Sequence, residues 1–126
     1  MYQKITLAGN LGKDPEMKFM PDGSSVTSFS MAVSEGYGDS KHTIWFRVSI
    51  WGKRAEVANQ YLSKGSKVLV EGRLKADKKT GGPTVYKGRD GNSGSNFEIT
   101  ATDFVFLSGK VESEAPKPIV EDEIEF

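Results

Sequence analysis

The ten residues His42-Thr43-Ile44-Trp45-Phe46-Arg47-Val48-Ser49-Ile50-Trp51 decide the fold. They alternate. In an extended chain successive side chains leave on opposite faces, so residues two apart share a face. His42, Ile44, Phe46, Val48 and Ile50 point one way and read as core. Thr43, Trp45, Arg47, Ser49 and Trp51 then point outward, and this row holds both tryptophans of the chain. Two open indoles are costly unless something covers them. Unstacked nucleobases would serve, each offering a π-face, with the arginine pairing a phosphate or stacking. A second apolar layer or a subunit interface would serve as well.

The segments on either side repeat the alternation. Gln3, Ile5, Leu7, Gly9 and Leu11 alternate with Lys4, Thr6, Ala8 and Asn10. Thr27, Phe29, Met31 and Val33 alternate with Ser28, Ser30, Ala32 and Ser34. Val68 to Leu74 and Phe97 to Leu107 complete five strands, the last with its alternation broken near Asp103, where a bulge is expected. Asp14-Pro15 and Pro21-Asp22-Gly23 mark a loop and a tight turn, and Gly36-Tyr37-Gly38-Asp39 marks another turn or loop. Ala55, Ala58, Tyr61 and Leu62 fall near helical spacing, which predicts a short helix from about Lys53 to Lys64, closed by Gly65. An all-β chain of five strands with one helix between the third and fourth has the order of an oligonucleotide-binding (OB-fold) barrel.

Length allows one domain of ordinary size. No apolar run approaches the ~18 residues a spanning helix needs, so no membrane partner is expected. The opening Met1-Tyr2-Gln3-Lys4 shows no secretory signal, and cysteine is absent, which excludes disulfides and thiolate chemistry and suits a reducing cytoplasm. The formal net charge of zero averages two unlike parts. Residues 1–110 hold 16 basic and 11 acidic side chains, whereas Val111 to Phe126 hold Lys117 alone against six acids. A basic body with an acidic tail points to a polyanion plus an interaction tail. We therefore divide the chain into a folded domain, 1–110, and a disordered acidic tail, 111–126, too poor in apolar residues to bury a core.

The connection from Lys75 to Asn96 is long, rich in Gly and Lys, and carries Lys75, Lys78, Lys79, Lys87 and Arg89 against Asp77 and Asp90. Such a loop in a small domain is usually functional, and Thr84 to Lys87 is expected to form part of an extended hairpin arm. Lys4, Lys53, Arg54, Arg73 and Lys75 add positive charge at strand ends. With Trp45 and Trp51 they suit a groove that follows a phosphate backbone, with Tyr37 a further aromatic nearby. The tail ends Glu121-Asp122-Glu123-Ile124-Glu125-Phe126. The Phe126 ring and α-carboxylate suit a pocket with a basic rim, and the acids steer encounter.

Enzyme signatures are poor. Gly9-Asn10-Leu11-Gly12-Lys13 lacks the spacing of a phosphate loop. The single histidine, His42, falls on the inward parity and reads as structural, and no His/Cys cluster offers a metal site. No catalytic residue, metal or cofactor is expected.

Several motifs resemble one family, the bacterial and phage single-stranded DNA-binding proteins. They are Ile5-Thr6-Leu7-Ala8-Gly9-Asn10-Leu11-Gly12-Lys13-Asp14-Pro15-Glu16, then Trp45 to Lys53, Ala55-Glu56-Val57-Ala58, Tyr61 to Val68, and Val70-Glu71-Gly72-Arg73-Leu74. The likeness covers most of residues 1–107 and returns at the acidic end. It implies base stacking by Trp45, Trp51 and Tyr37, with Arg47, Lys53 and Arg73 near the DNA path. It also implies a homotetramer with a dimer contact through the first strand, and recruitment of replication, recombination and repair proteins by the tip. Two positions depart from the pattern. Lys79 stands where a further stacking aromatic is expected, with Tyr86 a substitute, and Glu125 stands in a proline position. The linker Val111 to Val120 is short for the family and suits a phage or plasmid version. The expected function is noncatalytic coating of single-stranded DNA; the alternative is an RNA-binding or primosomal OB-fold module.

Overall fold

The structure, a computed structural model, describes residues 1–107 of the 126. The elements are β1 (Ile5–Leu11), β2 (Glu16–Phe19), β3 (Ser25–Glu35), a 3-10 turn (Gly38–Ser40), β4 (His42–Trp51), α1 (Lys53–Tyr61), β5 (Lys67–Lys75), β6 (Thr84–Lys87) and β7 (Ser93–Phe106). Five strands close a ring in the order β1-β5-β7-β4-β3 and back to β1. The closing contact is brief, Asn10 beside Ala32 and Leu11 beside Met31. All pairs of the ring are antiparallel except β4 with β7, parallel from Phe46/Phe97 to Ser49/Thr100. A closed five-stranded barrel with one short helix is the OB-fold architecture expected from the sequence.

The barrel interior follows from the alternation. Leu11, Phe29, Met31, Val48, Ile50, Val68, Val70, Ile99 and Phe104 are buried together, and their removal from water drives the closure. The nine-residue helix α1 is too short to persist alone. It buries Ala55 and Ala58 against the barrel, and Leu62 follows into the core. Small alanines let the helix approach closely. The buried Thr27 hydroxyl on β3 donates to the Ala55 carbonyl at 2.6 Å, and Ser25 Oγ donates to the Gly52 carbonyl at 3.1 Å. These bonds satisfy the buried hydroxyls of Ser25 and Thr27 and tie the start of the helix to β3.

Several boundaries differ from the sequence reading. The helix ends at Tyr61 rather than Lys64, because Leu62 turns to an extended conformation to enter the core. Residues 16–19, assigned to no strand from the sequence, form the edge strand β2 against Ser25–Ser28, with Pro21-Asp22-Gly23 as the expected turn between. His42 keeps its inward parity but not its place in the core: β4 has run past the barrel end there, so the ring is exposed. Its Nε2 lies 3.5 Å from Glu35 Oε1 and its Nδ1 3.0 Å from the Ser40 carbonyl. The expected bulge is present, with Thr102 the extra residue between Asp103, opposite Glu71, and Ala101, opposite Gly72. The expected arm is also present, Thr84–Lys87 pairing with Ser93–Asn96. The domain boundary at 110/111 and the tail residues Glu121 to Phe126 lie outside the described residues. No helix among the described residues is long and apolar enough to cross a membrane.

Candidate nucleic-acid interface

The outward residues of β4 sit in rows across the sheet. Trp51 stands beside Val26, with Lys18 beyond it. Ser49 stands between Ser28 and Thr100, and Arg47 between Ser30 and Glu98. Trp45 stands beside Ala32. On β5, Arg73 flanks Thr100 and Lys75 flanks Glu98. The β3 neighbours Ser28, Ser30 and Ala32 are small, so the two indoles bound a trough rather than fill it. Trp45 is 53% and Trp51 47% exposed. Tyr37 precedes the 3-10 turn, past the Trp45 end of the trough, and is the most open of the three at 91%.

Two aromatic rings rest on bare backbone. A Cβ at Gly12 would stand 2.6 Å from Trp45 Cζ3, so the indole lies where only a glycine admits it. Tyr86 is opposite Gly94 in the arm, and a Cβ there would stand 2.6 Å from the Tyr86 hydroxyl. Trp45, Arg47 and Tyr86, with Ser30, Phe46 and Asn96, line one open cleft. Candidates from two segments, Trp45 and Arg47 on β4 and Tyr86 on β6, therefore converge.

The cations divide into two groups. Lys4 Nζ lies 3.3 Å from Glu71 Oε1, and Lys75 Nζ lies 3.9 Å from Glu98 Oε1. Lys4 precedes β1 at the end away from the β1–β3 contact, and its ion pair ties it to β5 rather than to the indoles of β4. Arg47, Lys53, Arg73 and Lys79 make no ion pair among the described residues. Lys53 begins α1 two residues after Trp51. Lys79 sits in the turn after β5, where its backbone N–H donates to Asp77 Oδ1 at 2.8 Å. Arg54 serves differently from its neighbour. Its Nη2 meets Asp103 Oδ1 at 2.6 Å and the Phe104 carbonyl at 3.2 Å, and its guanidinium lies 4.6 Å from the Phe104 ring centroid. It ties α1 to β7.

At the arm tip the Asp90 carboxylate accepts from the Asn92 backbone N–H and side-chain amide, both at 3.0 Å, and these bonds hold its pKa below the ordinary carboxylate value. Sequence reasoning missed Gly12, Gly94, Asn96 and Glu98 as parts of the site. For Gly94 the signal is a glycine facing an aromatic across a ladder, and it is visible only once the register is known. Chemically, the trough offers flat π surfaces beside unpaired cations. No group of three or more His, Cys, Asp or Glu able to hold a metal is assembled among the described residues.

Comparison with known proteins agrees with this architecture. The model of the single-strand binding protein family matches residues 2–107. Two proteins called single-stranded DNA-binding protein, from Neisseria meningitidis serogroup A and serogroup B, are each 37% identical over 123 residues, covering 94% of this chain and 67% of theirs. With a match over nearly the whole barrel, the chain belongs to the single-strand binding protein family.

Proposed function

We propose that this protein binds and protects single-stranded DNA with little sequence preference during replication, recombination and repair. The observation that carries the reading is the convergence of Trp45, Arg47 and Tyr86 on one cleft of a barrel in this family. Each base stacked on an aromatic contributes roughly 1–3 kcal/mol, and any base can stack, so sequence matters little. Arg47, Lys53, Arg73 and Lys79 are free of carboxylates among the described residues and so are available to phosphates. Trp51 and Tyr37 extend the stacking path, and Lys75 adds charge beside it. The reading is noncatalytic, and membership of the single-strand binding protein family supports it.

Tryptophan fluorescence titrated with dT oligomers of increasing length tests the reading. We expect quenching, and weaker binding in Trp45→Ala and Trp51→Ala. Unchanged affinity in both variants at moderate salt would refute the platform. Poly(dT) should compete better than poly(U); the reverse order would favour an RNA reader, which uses the 2′-hydroxyl.

We further propose a homotetramer. Ile5–Asn10 of β1 pair with β5, but only Asn10 and Leu11 meet β3. The second edge of Ile5–Gly9 is thus unpaired among the described residues, and an open edge is a template for another strand. Light scattering should give the mass of four chains; the mass of one would reject this. Glu121, Asp122, Glu123, Ile124, Glu125 and Phe126 recruit replication and repair proteins in the bacterial cytoplasm or nucleoid, or in a phage-infected host. Deleting them should leave DNA binding intact and abolish partner retrieval.

A further inference from the structure

Glu98 is out of place on a face meant for a polyanion. It stands between Arg47 on β4 and Lys75 on β5, and its side chain is only 21% exposed. A carboxylate there repels phosphate. Its contacts explain its presence. Oε2 accepts the Thr84 hydroxyl at 2.8 Å, while Oε1 faces Lys75 Nζ at 3.9 Å. Lys75 ends β5 and Thr84 begins β6, so one carboxylate joins both ends of loop 76–83. It does so where β7 passes from pairing with β5 to pairing with β6.

We propose that Glu98 is a positioning residue that holds the β6 arm against the barrel, so that Tyr86 faces the cleft it shares with Trp45 and Arg47. Thr84 and Tyr86 are two apart in one strand and share a face. Fixing the Thr84 side chain therefore fixes the rotation of the face that carries Tyr86. The flanking Lys75 makes the carboxylate tolerable in this position. The consequence for binding rests on the function proposed above; the holding of the arm does not.

Two substitutions separate positioning from charge. Glu98→Gln removes the charge and keeps an oxygen for Thr84. Glu98→Ala removes both. If Glu98 acted only as a repelling charge, both variants would bind dT oligomers more tightly, and equally. We expect Glu98→Gln to bind at least as tightly as the native chain, and Glu98→Ala to bind roughly fivefold or more weakly than Glu98→Gln, the lower end of one lost base stack. Thr84→Val should reproduce that loss with Glu98 intact, and it decides the matter if Glu98→Ala fails to fold. In a Tyr86→Ala background the gap between the two Glu98 variants should vanish. Without DNA, amide exchange in Thr84–Lys87 and Ser93–Asn96 should quicken in Glu98→Ala and Thr84→Val but not in Glu98→Gln. Equal affinity of the two Glu98 variants, a gap that persists without Tyr86, or unchanged exchange would overturn the proposal. If the native chain failed to bind dT at all, the functional reading would fall, while exchange would still judge the arm.

Discussion

Gly12→Ala perturbs the Trp45 platform without touching the indole. The new Cβ would stand 2.6 Å from Cζ3 and 2.9 Å from Cη2 of the ring. Ordinary carbon contacts fall at about 3.5–4.0 Å, so the ring must retreat by roughly 1 Å. The obstructing atoms are the far end of a half-exposed side chain, which can swing outward at little cost to the fold. Gly12 is not among the residues with left-handed backbone, so alanine introduces no strain. By narrowing the unfolded ensemble it should favour folding by about 0.4–1 kcal/mol. Binding should move the other way. A tilted indole gives up part of a stack worth roughly 1–3 kcal/mol. We expect a loss of about 1 kcal/mol, or roughly fivefold in Kd. The assay is dT titration in a Trp51→Phe background, where Trp45 alone fluoresces, alongside thermal unfolding. The expected signature is altered Trp45 emission and weaker affinity with Tm held or raised. Unchanged emission and affinity would show that Gly12 does not support the platform. A sharp fall in Tm would show that the substitution acts on the fold instead.

Lys53→Ala and Arg73→Ala should each flatten the dependence of log Kd on log salt by about 0.7, the contribution of one phosphate on a single strand; an unaltered slope counts against that contact. Arg54→Ala should lower stability by about 1 kcal/mol, because its half-exposed pair with Asp103 is screened and the bond to the Phe104 carbonyl and the contact with its ring each add modestly. Its salt slope for DNA should match the native chain, and a flattened one would mean Arg54 meets phosphate after all. The Asp90 carboxylate is stabilised by Asn92, so its folded pKa lies below the unfolded one. Its contribution to the arm tip is complete above the usual value of about 3.9 and disappears as pH falls through the lowered one. The Asn92 amide resonance followed by NMR should titrate in that acid window, and no movement there would remove Asp90 from the turn.

The barrel was legible because its strands are buried on one side, and burial writes a period of two. Val48, Ile50, Phe29, Met31, Val68 and Val70 all lie where that period places them. Strand β2 was not legible for the converse reason. Glu16–Phe19 is an edge of four residues between two prolines, mostly exposed, so its side chains answer to no core. His42 shows how far parity can be trusted: it marks a face, and the face ceases to be interior once the strand outruns the barrel. Trp45 and Trp51 stood out because an indole conflicts with an outward face, and Arg47 because it lies between them. Gly12, Gly94 and Glu98 acquire meaning only from what lies opposite them. Arg54 and Lys53 are indistinguishable as adjacent basic residues, and only the position of Asp103 separates them.

The parallel contact of β4 with β7 joins residues some fifty positions apart, from Phe46/Phe97 to Ser49/Thr100. Pairings of such separation are slow to form, because a long loop must close before any contact rewards it. Trp45 and Arg47 arrive on the early partner, Tyr86 and Glu98 with the late one. A chain still emerging from the ribosome thus holds its indoles on an unfinished sheet until residues near 100 are free. Competence to grip a strand and completion of folding become a single event, and a truncated or nascent product has no cleft with which to sequester DNA.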